Sequence, residues 1–406
     1  MQASKRRPVA VSLLGYYQMS TSRQYLTLLA VFRGARSVAA GIVSIAFPYL
    51  VLVELHKSAF ALGLLYVCGA TATALLGVFF GFLADVWGQK RTLYLVGLLL
   101  PLSTGLIFCS RHLTVLFLAS ALGGFSATGS LMGGGVGGAA QPIQLVALVH
   151  LTTSEHRVSI FSLFTFMSGA FAALGALSAR LFSIHNAFLA ATILSLGGIA
   201  CLIPIRFQEY RGNIRHLSSR RVIGQFTLTG ALNGLAAGLV VPFLIPFFVI
   251  VYHVPKSEMS VYGFLAGTLA SFALLLAPRL ENTWGFVRSI ALTRGLGTGL
   301  LLLLPLTHVF ALAVAVYLLT PSLRVMAVPV QQTALAEWVS PDEVGRAMGI
   351  NQVARLAASS AAIGFTGYMF DLSDIGLPFY SYAVIMSLNI YLYFRFFRSL
   401  EVNEGG

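Results

Sequence analysis

Gly81-Phe-Leu-Ala-Asp85-Val-Trp87-Gly88-Gln-Lys90-Arg91-Thr92 lies between two long apolar runs and holds most of the charge in its neighbourhood. A connection this short between segments of membrane length must turn the chain tightly. Gly81 and Gly88 permit that, because glycine reaches backbone angles that other residues avoid. Asp85 is an acceptor placed to cap a neighbouring helix N-terminus. Lys90 and Arg91 mark the connection as cytoplasmic, since basic residues concentrate on that side of a membrane.

The composition agrees with membrane spans. Hydrophobic residues make up 57% of the 406 residues and charged residues only 10%, against about a quarter charged in soluble domains. The net charge of +13 gathers in alternate loops, which topology explains without a nucleic-acid partner. Cys68, Cys109 and Cys201 fall inside apolar runs at unrelated spacings, as packing residues rather than a disulfide framework or metal site. No cofactor is expected.

Twelve apolar segments follow one another: 24–54, 59–80, 92–109, 114–151, 157–182, 187–205, 222–252, 260–277, 289–306, 310–338, 347–370 and 378–397. The fourth is far longer than a ~30 Å hydrocarbon core requires at ~1.5 Å per residue. The glycines between 133 and 138 are expected to interrupt it, as a hinge, a cavity wall or a tight packing seam. The stretch 206–221, with five arginines and Glu209, is too polar to span and reads as a linker. The predicted organisation is therefore an N-terminal arm (1–23), a first bundle (24–205), the linker (206–221), a second bundle (222–398) and a tail (399–406). An even number of spans puts both termini in the cytoplasm. Lys57, Arg111 and Lys256 are the main basic residues on the opposite side.

The two halves repeat. Pro142-Ile-Gln144 with Ala147 and Leu148, then Glu155 and Arg157, echoes Pro329-Val-Gln331 with Ala334 and Leu335, then Asp342 and Arg346. Trp87-Gly88 returns as Trp284-Gly285, flanked by Glu281 and Arg288. With the order Gly81, Asp85, Gly88, Lys90, Arg91 between the second and third spans, this pattern resembles the major facilitator superfamily. The resemblance runs from about Gln24 to Arg398. It implies an all-α membrane protein of twelve transmembrane helices in two pseudo-symmetric six-helix bundles, which transports a small solute by alternating access. It also implies that the 81–92 loop stabilises one end state, that spans 1, 4, 7 and 10 line the cavity with help from 5 and 11, and that the protein is a monomer in the plasma membrane.

Polar side chains inside spans need partners or a wet cavity, and they form stripes on those spans. Arg33, Arg36, Ser37 and Ser44 lie on the first; Ser126, Ser130, Gln141 and Gln144 on the fourth; Thr229 and Asn233 on the seventh. Tyr317, Thr320, Arg324 and Gln331 follow on the tenth, and Gln352, Arg355, Ser359 and Thr366 on the eleventh. The expected substrate contacts are Arg36, Ser44, Ser126, Gln144, Asn233, Tyr317, Arg324 and Gln331. Arg355 is expected with the signature loop.

The sign of the buried charge sets the substrate class. Arg33, Arg36, Arg294, Arg324 and Arg355 lie within spans, whereas no Asp or Glu sits near a span centre. A buried arginine costs about 2.5–3.5 kcal/mol on insertion scales, and a bound anion would supply the missing charge. The reading is a carrier of an anionic or polar organic solute, with a proton or another ion as a coupling partner. A drug or lipid exporter is the alternative. That alternative is weakened by two departures from the proton-coupled exporters of the resembled family: Ser120 stands where they carry an arginine before Gly124, and the Gly169–Ala179 stretch has no proline. Small residues there (Gly169, Ala173, Ala176) still allow close helix packing. A scaffold has little reason to keep buried arginines. An enzyme would need an acid pair, a triad or a metal cluster, and the spans contain none of these.

Overall fold

The computed structural model describes residues 9–125, 157–205, 219–306, 309–340 and 343–404, and it is helical throughout. The helices are α1 (Val9–Tyr49), α2 (Ala59–Trp87), α3 (Gln89–Cys109), α4 (Leu113–Gly123), α5 (Arg157–Ser178), α6 (Ile184–Ala200) and α7 (Arg220–Val240). They continue with α8 (Leu244–Tyr252), α9 (Lys256–Leu274), α10 (Ala277–Trp284), α11 (Phe286–Leu306), α12 (Phe310–Trp338), α13 (Val344–Asp371) and α14 (Gly376–Glu404). Among the described residues, eight helical segments are long and apolar enough to cross a membrane, and the pair α9–α10, bent by 47°, makes a ninth. Helices α4 and α6 are shorter apolar helices. Asn351, Gln352, Arg355, Ser359 and Ser360 dilute the apolar character of α13, which packs between α2 and α7.

Sequence-level breaks produce the bends. Pro48 is followed by a π-helical turn over Leu50–Glu54. A 3-10 turn at Val241–Phe243, with Pro242 in it, divides the seventh span into α7 and α8, as expected where proline removes an amide donor.

The internal repeat is written in the backbone. Gly88 (φ 93°) and Gly285 (φ 75°) lie 197 residues apart, and so do His56 (φ 48°) and His253 (φ 51°). Each glycine ends one helix and begins the next, and its amide closes the preceding helix on Ala84 O or Glu281 O. Neighbour relations repeat as well: α1 packs on α5 and α6 as α7 packs on α13 and α14, and α3 packs on α4 and α6 as α11 packs on α12 and α14. Across the halves, α2 lies on α13 while α5 lies on α9.

Close approach of the helices depends on glycine. A Cβ on Gly41 would stand 2.0 Å from Ala172 O, and one on Gly175 would stand 2.1 Å from Val38 O. In the other half the corresponding seam sets Gly234 against Arg355 O (2.1 Å) and Gly238 against Ser359 O (2.3 Å).

The stretch read as an 81–92 loop is corrected. Helix α2 continues through Gly81 and Asp85 to Trp87, and the turn is confined to Gly88. Gly81 is helical, with nothing near where a Cβ would stand, so its conformational freedom is not used. Headgroup-level charge on a helix end costs little, which is why polarity there does not require a loop. Residues 9–23, read as part of an arm, continue α1.

The apolar core is shared at one end and divided at the other. One cluster joins α1 and α2 to α7, α8, α9 and α13 at the His56/His253 end, with Phe47, Tyr66 and Phe243 among its members. Toward Gly88 and Gly285 the core splits into one cluster around Phe32, Phe80 and Phe164 and another around Phe226, Phe286 and Phe397. Polar bonds reinforce the shared end: Tyr49 Oη donates to Val254 O (2.6 Å), and Lys256 Nζ donates to Ala179 O (2.7 Å) and Phe182 O. Arg111 pairs with Glu54 at 2.8 Å.

Candidate functional site

A pocket in the second half gathers Asn233 from α7, Arg294 from α11, Arg324 and Gln331 from α12, Arg355 and Ser359 from α13, and Tyr382 from α14. Pro321 and Pro329 interrupt the hydrogen-bond ladder of α12 on either side of Arg324, which lets that helix curve around the pocket. The α7–α13 glycine seam brings Asn233 next to Arg355 and Ser359, since Gly234 touches the Arg355 carbonyl directly.

Three arginines thus line one space, and their hydrogen-bond partners among the described residues are neutral. Arg294 donates to Asn389 Oδ1 and Gln331 Oε1 (3.4 Å), and its guanidinium lies 4.6 Å from the Tyr393 ring centroid. Asn389 is held in turn by its Nδ2 donating to Thr229 O (2.7 Å). Arg355 donates to Gln352 Oε1 at 2.7 Å, one helical turn away. Among the described residues Arg324 makes no hydrogen bond and no ion pair, although Tyr382 and Arg294 act on it electrostatically. Ser359 Oγ is buried there without a hydrogen-bond partner. No Asp or Glu is among the described lining residues. Like charges brought this close repel one another, and a negative charge between them would relieve that repulsion.

The arginines of the first half are placed differently. Arg36 donates to Gly97 O (2.8 Å) and lies over the Phe32 ring at 5.4 Å; it faces a separate recess with Thr73 and Leu76. Arg33 donates to Ser168 Oγ on α5. Ser44 Oγ donates to Gly41 O of its own helix (2.8 Å). Tyr317 sits in the shared core, its ring 5.3 Å from that of Phe248.

Of the expected substrate contacts, the structure brings Asn233, Arg324 and Gln331 together, joined by Arg355. Ser126 and Gln144 lie outside the described residues, as do the 133–138 glycines and the first copy of the Pro-x-Gln repeat. At the Gly88 turn, Lys90 Nζ donates to Ile203 O (2.9 Å) and Arg91 is exposed. The capping role expected of the Asp85 carboxylate also lies outside what is described.

Arg294, Ser359 and Tyr382 were absent from the expected contacts, although Arg294 and Ser359 stood out as polar groups within spans. Arg294 belongs to the ninth span and Tyr382 to the twelfth, neither of which the resemblance places on the cavity. A charged residue within an apolar span was the available signal for Arg294.

Comparison with known proteins agrees with this architecture. The family model described as Major Facilitator Superfamily matches residues 29–327. No curated protein matches the sequence significantly. Among solved structures, a nucleoside transporter, NupG, superposes with a TM-score of 0.73 at 11% identity, covering 91% of this chain and 99% of its own. A bacterial homologue of the human lysosomal transporter Spinster, solved inward-facing and unoccupied, gives 0.70 at 12% identity and covers 92% and 96%. The human organic anion transporter MFSD10 gives 0.68 at 12% identity and covers 92% and 99%. The repeated helix pairing, the paired Trp-Gly turns and the family match converge on one conclusion: this chain belongs to the Major Facilitator Superfamily.

Proposed function

We propose that the protein carries a small organic anion across the plasma membrane by alternating access, as a secondary active transporter or facilitator. The observation that carries this reading is the convergence of Arg294, Arg324 and Arg355 on one pocket, with no carboxylate among its described lining residues. In this reading Arg324, Asn233 and Gln331 contact the substrate, and Ser126 and Gln144 of the fourth span contribute from the first half. The halves 24–205 and 222–398 rock about their shared interface while the Gly88 turn, with Lys90 and Arg91, steadies one end state. The charge asymmetry of the loops supports cytoplasmic termini and a cytoplasmic linker at 206–221. The protein acts as a monomer.

Solved structures of this fold include one titled an organic anion transporter, one a nucleoside transporter and one a D-xylose–proton symporter, so the fold leaves the choice of substrate to the site. A drug or lipid exporter has no need of clustered cations in its cavity, whereas three arginines line this one, beside apolar residues such as Val328, Leu356 and Met386.

Reconstitution into vesicles tests the reading. Uptake of labelled organic anions is compared with that of neutral solutes, with and without Arg324→Ala. Anion uptake that collapses in the variant supports the proposal. Transport of neutral solutes alone, unaffected by the substitution, overturns it. An imposed pH gradient in the same vesicles separates proton coupling from facilitated diffusion.

A further inference from the structure

The charge of the pocket also restricts what kind of anion fits it. Arg294, Arg324 and Arg355 come from three consecutive long helices, α11, α12 and α13, all on the same side of the pseudo-symmetric molecule. Two of them spend hydrogen bonds on neutral amide oxygens, Arg294 on Asn389 and Gln331 and Arg355 on Gln352. Those contacts orient the guanidinium planes and leave the charges uncompensated. Arg324 has no such contact among the described residues. Ser359, on the same pocket, is buried, and its hydroxyl has no hydrogen-bond partner among the described residues. A buried hydroxyl without a partner is uncommon in a finished site, and Ser359 is among the residues that line the pocket with Arg324.

The sequence excludes a protein carboxylate from the fourth span as the missing counter-charge, because residues 114–151 contain no Asp or Glu. Among the described residues that line the pocket, no carboxylate balances the three guanidiniums. A singly charged ion would match one guanidinium and leave the others repelling each other across the pocket. Carboxylate and phosphate oxygens meet guanidinium forks two at a time, so one ligand with several oxygens at one end, or with a charge at each end, satisfies the cluster.

We propose that this pocket is built for an oxyanion carrying two or more negative charges, held jointly by Arg294, Arg324 and Arg355, with Ser359 as a further donor. The proposal rests on the anion reading above and narrows it to multiply charged carboxylates or phosphates.

Thermal melting of the purified full chain in detergent, at constant ionic strength, tests it. The probes are acetate, succinate, tricarballylate, inorganic phosphate and glycerol phosphate, with xylose as the neutral control. Succinate or tricarballylate, or the two phosphates, should stabilise the protein with an apparent affinity at least about tenfold tighter than acetate, the equivalent of one charge-assisted contact. The carboxylate and phosphate arms show which oxyanion is preferred. Arg324→Gln should remove the stabilisation while leaving the ligand-free melting temperature in place, because Arg324 makes no hydrogen bond among the described residues. Ser359→Ala, a smaller change, should weaken the same probes and guards against a folding defect in the first variant. Equal effects of acetate and succinate would overturn the multiple-charge proposal and leave the anion reading standing. Stabilisation by xylose with no response to any anion would overturn both. A full response retained in both variants, or no response to any multiply charged probe, also overturns the proposal.

Discussion

The two halves of the molecule use the arginines within their spans in different ways. In the first half each guanidinium is occupied by the protein: Arg33 by Ser168, and Arg36 by the Gly97 carbonyl and the Phe32 ring. In the second, three guanidiniums share one pocket and Arg324 makes no hydrogen bond among the described residues. The repeat makes the contrast specific. The 197-residue offset that relates Gly88 to Gly285 also relates Arg36 to Asn233 and Gly97 to Arg294. In the first half the charge is on α1 and the small residue on α3; in the second, the charge has moved to α11 and an amide stands on α7. The exchange moves a positive charge out of a helix–helix contact and toward a pocket. A common scaffold thereby carries its arginines in packing contacts in one half and around a pocket in the other.

The largest effect is expected at Arg324. Losing a charge-assisted contact with the substrate costs about 1.5–3 kcal/mol, so Arg324→Ala should lower anion uptake in vesicles by roughly tenfold to more than a hundredfold. Its melting temperature should stay close to that of the parent protein. Arg324→Lys should recover part of the uptake, since the charge returns without the planar fork.

The glycine seams are next, and they act on stability in both halves alike. Gly41→Ala and Gly234→Ala each drive a methyl group into a backbone carbonyl of the opposing helix. Overpacking of this kind costs about 1–3 kcal/mol, and helix displacement adds to it. Both variants should melt several degrees lower by scanning fluorimetry in detergent. If Gly234→Ala were tolerated while Gly41→Ala were not, the two seams would not be equivalent and the repeat would be weaker than the backbone indicates.

Arg294→Gln should reduce both properties. The guanidinium holds Asn389 and Gln331 and stacks on Tyr393, so its loss releases three neighbours as well as a charge. Uptake and melting temperature should fall together, in contrast to Arg324→Ala. The smallest effect is expected at the end with the shared core, where Tyr49→Phe removes one hydrogen bond to Val254, worth about 1 kcal/mol. The shift should appear as faster opening of that end, read by labelling of a cysteine placed at Val254.

Much of this architecture was legible from the residues. Apolar length defined the spans, and the Trp-Gly pair located both tight turns because only glycine occupies those angles at no cost. The extent of the turn was not legible. Asp85, Lys90 and Arg91 look like a loop as a string, yet a helix end at headgroup depth accommodates the same charges. Hydroxyls misled in a similar way: Ser44 and Thr320 fall on polar stripes but donate to Gly41 O and Val316 O of their own helices, which satisfies them without a ligand. Arg294 and Tyr382 could not be assigned from periodicity, since their convergence with Arg324 depends on how α11, α12 and α14 pack. Spacing within one helix carries no information about that packing.

The measurement closest to the central claim is binding of a labelled organic anion to the purified protein, compared between Arg36→Ala and Arg324→Ala. The asymmetric use of arginine predicts that binding survives in Arg36→Ala, with a lowered melting temperature, and is lost in Arg324→Ala, with an unchanged one. Binding that persists without Arg324 and disappears without Arg36 would contradict it.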